Sequence, residues 1–233
     1  MHRFFGDFDF TVGSVKISED HAVTHQLRDV LKMKKGETLA LFNTKGQEAI
    51  CTIDSISKKE LILHIGRVEE KQFMPKTRVH LFCAVLKKDN FELVVQKATE
   101  VGVTDIHPII TARTIKQGLR FDRLERIATE ATEQSGRMLV PTTHDIEELE
   151  DAIQIAEKMD GLHICLDMSA DMIQSVLAKK SETVCLFIGP EGGWTDTERA
   201  LFQKNNWNIV SLGDGVYRAE TAAIVAGYLV VNS

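Results

Sequence analysis

No apolar stretch in this 233-residue chain approaches the roughly 18 residues needed to span a bilayer. The opening Met1-His-Arg-Phe-Phe-Gly-Asp also lacks the long apolar core of a signal peptide. A cytoplasmic protein with no membrane partner is expected. Cysteines are few: Cys51, Cys83, Cys165 and Cys185 each sit in an apolar run and none forms a C-x-x-C pair. That excludes a zinc knuckle and a disulfide framework, and leaves buried small hydrophobes. The eight histidines are scattered, and the one helical pair, His21 and His25, lacks the glutamate of an H-E-x-x-H site. No metal is expected. The chain also has no G-K-[ST] phosphate loop, no G-x-G-x-x-G fingerprint, no repeat of fixed period and no low-complexity tract.

What is present is ordinary in kind and uneven in placement. Hydrophobic residues make up 43% and charged residues 27%, the balance of a globular protein, and the length suffices for one or two domains. The net charge of -6 argues against nucleic acid only until it is mapped. Between Asp145 and Asp171 nine acids face the single base Lys158, a local sum of -8, so the remainder sums to +2. From Arg113 to Arg137 six bases (Arg113, Lys116, Arg120, Arg123, Arg126, Arg137) face four acids. Such a face suits RNA phosphates, because binding follows local potential, and equally suits a solvated helix.

Residues 1 to about 72 read as a small antiparallel barrel. Ser18 is expected to cap a short helix with Val23, Leu27, Val30 and Leu31 on its apolar side, stopped at Gly36. Strands follow at Thr38 to Phe42, Ala49 to Ile56 and Leu61 to Val68. Glu69-Glu-Lys-Gln72 and Pro75 mark a linker. Beyond it, strands are predicted at Val79 to Leu86, Asp105 to Ile110, Leu162 to Leu166, Val184 to Ile188 and Ile209 to Leu212. Helices are predicted near 90–101, 121–135, 147–158, 170–179, 196–205 and 220–230. Repeated βα units with continuous apolar strands imply a mainly parallel sheet covered on both faces.

Two glycine turns stand out. Gly189-Pro-Glu-Gly-Gly193 follows a strand directly, and Thr195-Asp-Thr-Glu198 then reads as a capping box. A carboxylate at Glu191 disfavours phosphate, so this loop suits a neutral or cationic ligand held by main-chain groups. The second turn, Leu212-Gly-Asp-Gly-Val-Tyr-Arg218, leads into the alanine-rich helix that Ala219-Glu-Thr-Ala222 begins. Arg218 is unfavourable at a helix N-terminus, so it calls for a partner, either a carboxylate such as Glu191 or an anionic substrate.

The chain resembles the RsmE family of small-subunit ribosomal RNA uridine-N3 methyltransferases, of the SPOUT class. The matching stretches are Arg3-Phe-Phe5, His25 with Leu27 to Leu31, Gln96-Lys-Ala-Thr-Glu-Val-Gly102, Pro108, Glu130-Ala-Thr-Glu-Gln-Ser-Gly-Arg137 with Pro141, and the two glycine turns. The resemblance covers essentially the whole chain. It implies an α/β class protein: a PUA-like β-barrel RNA-binding domain over 1–72, then a SPOUT methyltransferase domain over 73–233 with a parallel sheet and a trefoil knot. It also implies a homodimer, S-adenosylmethionine as cofactor, and 16S rRNA within assembled small ribosomal subunits as substrate. On the same ground the cofactor would be cradled by Ile188, Gly189, Glu191, Gly192 and Gly193 and by Leu212, Gly213, Val216 and Tyr217. Thr221 and Ala222 follow these, and Leu166 adds a third wall.

Three positions depart from the family pattern, Lys32 in place of an arginine and Val216-Tyr217 in place of isoleucine-leucine. Methyl transfer to uridine N3 requires loss of the N3 proton and stabilisation of charge on the flanking carbonyl oxygens. Arg218 is the candidate for the carbonyl or a nearby phosphate. Glu191 is open between attracting the sulfonium, acting as base and bracing Arg218. Arg3, Lys32, Arg120, Arg123 and Arg126 are the RNA-binding candidates, through contacts that position RNA without reading bases. Glu133 and Arg137, four apart on one helix, read as a structural pair stabilising it by roughly 0.2–0.5 kcal/mol.

Overall fold

A computed structural model describes residues 1–43, 45–70, 76–115 and 118–233, with backbone alone at Lys88 and Ser169. The expected linker residues Lys71, Gln72 and Pro75, and the basic residue Lys116, lie outside the described residues. The chain divides into two units, one of residues 1–74 with 132–139, the other of residues 75–131 with 140–233.

The first unit is built on β1 (Arg3–Phe5), β2 (Ser14–Ser18), α1 (Ala22–His25), β3 (Thr38–Phe42), β4 (Gln47–Ile56) and β5 (Glu60–Glu70). They form a curled five-stranded sheet in the order β1-β3-β4-β5-β2, with β1 parallel to β3 and the other pairs antiparallel. Period-two alternation sets its inner face: Leu61, Leu63 and Ile65 are buried while His64 and Gly66 are exposed. Phe4, Phe8, Leu39, Leu41 and Ile53 complete that core. The sheet is an open path rather than the closed antiparallel barrel expected, since β1 and β2 do not pair among the described residues.

The short helix also differs from expectation. His21, not Ser18, is its cap, accepting the Val23 amide through Nδ1, while Ser18 contributes only its carbonyl. A π-helical turn over Gln26–Val30 follows, closed by Leu31 N donating to Gln26 O. Its wider step rotates Val30 off the face shared by Val23 and Leu27, and Val30 is exposed. The helical segment ends at Val30 with Leu31 as its C-cap, and Lys32 follows at φ +52, so the stop comes before Gly36.

The second unit runs β6 (Arg78–Ala84), α2 (Lys88–Val101), β7 (Asp105–Ile110), α3 (Phe121–Ser135), β8 (Thr142–Thr143), β9 (Glu147–Glu148), α4 (Leu149–Glu157), β10 (Leu162–Met172), α5 (Gln174–Leu177), β11 (Thr183–Ile188), α6 (Asp196–Lys204), β12 (Asn208–Ser211) and α7 (Ala219–Val231). The last four residues of α3 count with the first unit. All pairs in this sheet are parallel, in the order β12-β10-β11-β6-β7-β8, and β9 shares the free edge of β7 with β8. Alternate residues of β6 feed two cores. Val79, Leu81 and Cys83 pack with Phe91, Val94 and Ala98 of α2 and Ala223 and Ala226 of α7, and Phe82 and Ala84 pack with Ala152 of α4 and Phe202 of α6. Burial on both faces is why the strand sequences are continuously apolar. The expected helix near 170–179 shrinks to α5 because β10 continues to Met172 through an irregularity between Leu166 and Asp171. The order in the sheet brings the C-terminal ends of β10, β11 and β12 side by side, where an α/β fold opens its ligand crevice. No helix of the described residues is long and apolar enough to cross a membrane.

Candidate active site

A cavity of about 450 Å³ opens at those three strand ends, within the size range of small-molecule sites. Its walls are the β10 segment Leu166 to Met168, the β11–α6 loop Ile188 to Trp194, and the β12–α7 loop from Ser211 into α7. Each wall is fixed by a traceable interaction. Trp194, almost wholly buried, donates its indole N–H to Leu166 O at 2.9 Å, tying the glycine loop to β10. A Cβ on Gly189 would stand 3.0 Å from the Trp194 ring, so the close approach requires glycine there. Gly193 has φ +66 and closes a turn on Pro190 O, a conformation that L side chains rarely adopt. The Thr195 capping box then starts α6: Glu198 N donates to Thr195 Oγ1, and Glu198 Oε2 accepts from Thr195 N at 2.7 Å.

The loop after β7 joins this wall. Ala112 N donates to Glu198 Oε1 at 2.8 Å, and Arg113 Nη1 donates to Gly192 O at 2.6 Å. A Cβ on Gly192 would point at Arg113, with contacts of 3.2 and 3.3 Å. On the β10 side, the buried Asp167 carboxylate accepts from Arg199 Nε, and Arg199 also reaches Asp196.

Of the twelve cofactor candidates, eleven line the cavity: Leu166, Ile188, Gly189, Glu191, Gly192, Gly193, Leu212, Gly213, Val216, Tyr217 and Ala222. Thr221 does not. Arg218 and Glu191 also line it, both exposed. Val216 is 82% exposed, an apolar side chain presented to whatever enters. Sequence reasoning missed Arg113, Asp167, Trp194 and Arg199. Arg113 was legible only as one base in a basic run, Trp194 and Asp167 directly follow Gly193 and Leu166, which were expected at the cavity, and Arg199 is brought there by its contact with Asp167.

The RNA candidates separate by environment. Arg3 is engaged inside the first unit: Nε donates to Glu48 at 2.6 Å, the remaining nitrogens reach Glu133 O and Met138 Sδ, and the guanidinium lies 4.6 Å over the Phe42 ring. Arg123 is held by Glu92 through two hydrogen bonds of 2.6 and 2.7 Å. Lys32, Arg120 and Arg126 are exposed, with Arg120 beside Asp122 and Arg126 beside Glu130. Glu133 Oε1 accepts from the Phe5 amide at 2.9 Å, so this carboxylate also secures β1.

A second polar cluster lies toward the N-terminal ends of β6 and β7. His80 Nδ1 is 3.1 Å from His107 Nε2, and His107 is stacked between Phe82 and His144. Asp105 accepts from Arg78 at 3.0 and 3.2 Å and lies 3.0 Å from His144 Nε2. Burial holds His107 down to about 3 and lowers His80 as well. Burial raises the Asp105 carboxyl, but hydrogen bonds from Arg78 and His144 outweigh it, and the group is held at about 2. His80, Asp105 and His107 are close enough together to hold a metal ion. Arg78, however, already places a fixed positive charge on the carboxylate that a cation would need. All four cysteines are free and buried, and burial pushes their thiols up, Cys51 to about 11 and Cys185 to about 12.

Two family models match the chain. An RNA methyltransferase domain covers residues 74–231, and an RNA methyltransferase PUA domain covers residues 24–66. A ribosomal RNA small subunit methyltransferase E from Rickettsia conorii is 31% identical over 217 residues, 91% of this chain and 87% of that protein. One from Bacillus subtilis is 28% identical over 245 residues, 97% and 94% of the two chains. The crystal structure of a ribosomal RNA small subunit methyltransferase E from Neisseria gonorrhoeae bound to S-adenosyl methionine superposes with a TM-score of 0.88 at 27% identity, covering 97% of this chain and 95% of that one. The parallel sheet and its three-loop cavity are thus those of an RNA methyltransferase. More narrowly, the chain belongs to the ribosomal RNA small subunit methyltransferase E family.

Proposed function

We propose that this protein transfers a methyl group from S-adenosylmethionine to N3 of a uridine in 16S ribosomal RNA. One observation carries the reading: three separated segments, with Gly189, Gly192, Gly193, Gly213 and Gly215 among them, converge on one cavity that Arg218 also lines. The fit to the cofactor rests on that lining. Backbone groups of Gly189 to Gly193 and Leu212 to Gly213 suit the polar edges of a nucleoside, Ile188, Val216 and Ala222 its apolar faces, and Glu191 a positive charge. S-adenosylmethionine, when bound, supplies the methyl group on an electrophilic sulfonium. The chain's own residues do the rest. Arg218 stabilises charge spreading onto the uracil carbonyl oxygens, and Glu191 accepts the N3 proton.

Several finer readings belong to this proposal. Residues 1–72 act as a PUA-like RNA-binding domain and 73–233 as a SPOUT methyltransferase domain. Its trefoil knot is supported by the insertion of β11 between β6 and β10 before the chain returns through β12 and α7. RNA phosphates are met by the exposed Lys32, Arg120 and Arg126, while Arg3 and Arg123 serve packing. The exposed Leu93 of α2 and Val225 and Tyr228 of α7 support a homodimer through that helix pair. The substrate is rRNA in assembled small subunits, in the cytoplasm.

A methyl on N3 occupies the pairing edge and blocks reverse transcription. Purified protein, S-adenosylmethionine and unmodified small subunits are expected to give a new stop at one uridine. Its absence would sink the proposal.

A further inference from the structure

Glu220 is a buried carboxylate with one oxygen left without a hydrogen-bond partner. It occupies the first turn of α7 with 6% of its surface exposed, and its Oε2 has no hydrogen-bond partner. Burying such an oxygen unpaired costs more than a made hydrogen bond returns. The positive end of the helix dipole offsets part of that cost and fills no lone pair. The ion-pair neighbour of Glu220 is Arg218, whose Nη1 stands 4.0 Å from Oε1, beyond hydrogen-bond reach. The two side chains sit in opposite surroundings, Arg218 85% exposed and Glu220 8%.

The position of this half-made pair is informative. Arg218, Ala219 and Ala222 line the cavity and Glu220 does not, so Glu220 lies behind the wall that its neighbours form. The carboxylates of Glu191 and Glu220 are both near enough to the buried Cys83 thiol, at the C-terminal end of β6, to reinforce its upward shift by burial. Glu220 therefore sits at the cavity end of the sheet, within reach of the arginine at the rim.

We infer that Glu220 is a positioning residue for Arg218: when the uridine enters, Arg218 turns inward and closes a two-point fork on the Glu220 carboxylate. This inference rests on the uridine reading of the site. A guanidinium has five donors in a fixed plane, so two can engage the carboxylate while others face a uracil carbonyl oxygen. An arginine ordered by the substrate alone would have to lose its freedom during the reaction. A buried socket supplies the second anchor in advance.

Wild type, Glu220→Gln, Arg218→Ala and the double variant are compared by calorimetric titration with S-adenosylmethionine, by melting temperature and by single-turnover methylation of small subunits. Glu220→Gln is expected to bind S-adenosylmethionine like wild type, to melt no lower, and to slow methyl transfer about tenfold or more, the size of a lost electrostatic contact in the transition state. In the Arg218→Ala background the same change is expected to slow transfer no further. Additive losses, a full-rate Glu220→Gln enzyme, or a lowered melting temperature with lost cofactor binding would each overturn the inference. Wild-type protein that binds S-adenosylmethionine but leaves the subunits unmethylated overturns the uridine reading itself, and this role for Glu220 with it.

Discussion

A single carbon added at Gly189 would meet the ring of Trp194 at 3.0 Å, and Trp194 is the residue that pins the glycine loop to Leu166. Gly189→Ala is therefore expected to push the indole off its acceptor, at a cost of about 1–3 kcal/mol in stability from overpacking. S-adenosylmethionine affinity should fall with it. Denaturant unfolding and calorimetry check this, and unchanged values in both would remove Trp194 from the site's support. Gly192 meets a different neighbour, its missing side chain pointing at the Cδ and Cβ of Arg113, at 3.2 and 3.3 Å. The glycine motif was legible in sequence as one permissive run. The fold separates Gly189, placed against the Trp194 ring, from Gly193, which needs its positive backbone angle.

Among elements, α6 does more than its capping box announced. Glu198 closes the box with one oxygen and accepts the Ala112 amide with the other, so it joins the loop after β7 to the wall that contains Gly192. Glu198→Ala is expected to cost about 1–3 kcal/mol, the sum of a lost cap and a lost charge-assisted hydrogen bond from the Ala112 amide. Urea unfolding measures it, and a loss below a few tenths would mean that the link carries no load. In the second unit β6, β7 and β11 were readable because they are apolar on both faces, and Asp105–Ile110 is placed as predicted, whereas the two-residue β8 and β9 carry no apolar signal and were missed. The extension of β10 past Leu166 was missed although Asp167 to Asp171 alternate polar and apolar residues with a strand's period of two, because the continuous apolar run stops at Leu166 and the pairing is irregular between Leu166 and Asp171. The strand Arg3–Phe5 was missed because three residues make no period. The π turn at Gln26–Val30 was missed because nothing in an i, i+4 pattern specifies an extra residue per turn.

For the molecule as a whole, acid should be the weak direction. His80 and His107 are held below the ordinary histidine value of 6.5, His107 at about 3. The unfolded chain therefore binds protons that the folded chain refuses as pH falls from about 6.5, and each such proton removes about 1.4 kcal/mol per pH unit. Asp105, held at about 2 against an ordinary 3.8, adds a loss confined to pH below about 4. Melting temperature is expected to fall steadily from pH 6.5 to pH 4, and His107→Phe to flatten that slope. An equal slope in both proteins would locate the sensitivity elsewhere. At this scale the class of fold was legible from repeated βα units, whereas charge placement was legible only in part. The basic run suggested one RNA face, but Arg123 within it is paired with Glu92 while Arg120 and Arg126 remain exposed, and Arg3, outside the run, is paired with Glu48. The central claim is the methylated uridine, and mass spectrometry of 16S rRNA from cells with and without this protein tests it most directly. One uridine bearing an N3 methyl in the first sample and none in the second is the expected result. Identical modification in the two samples would contradict it.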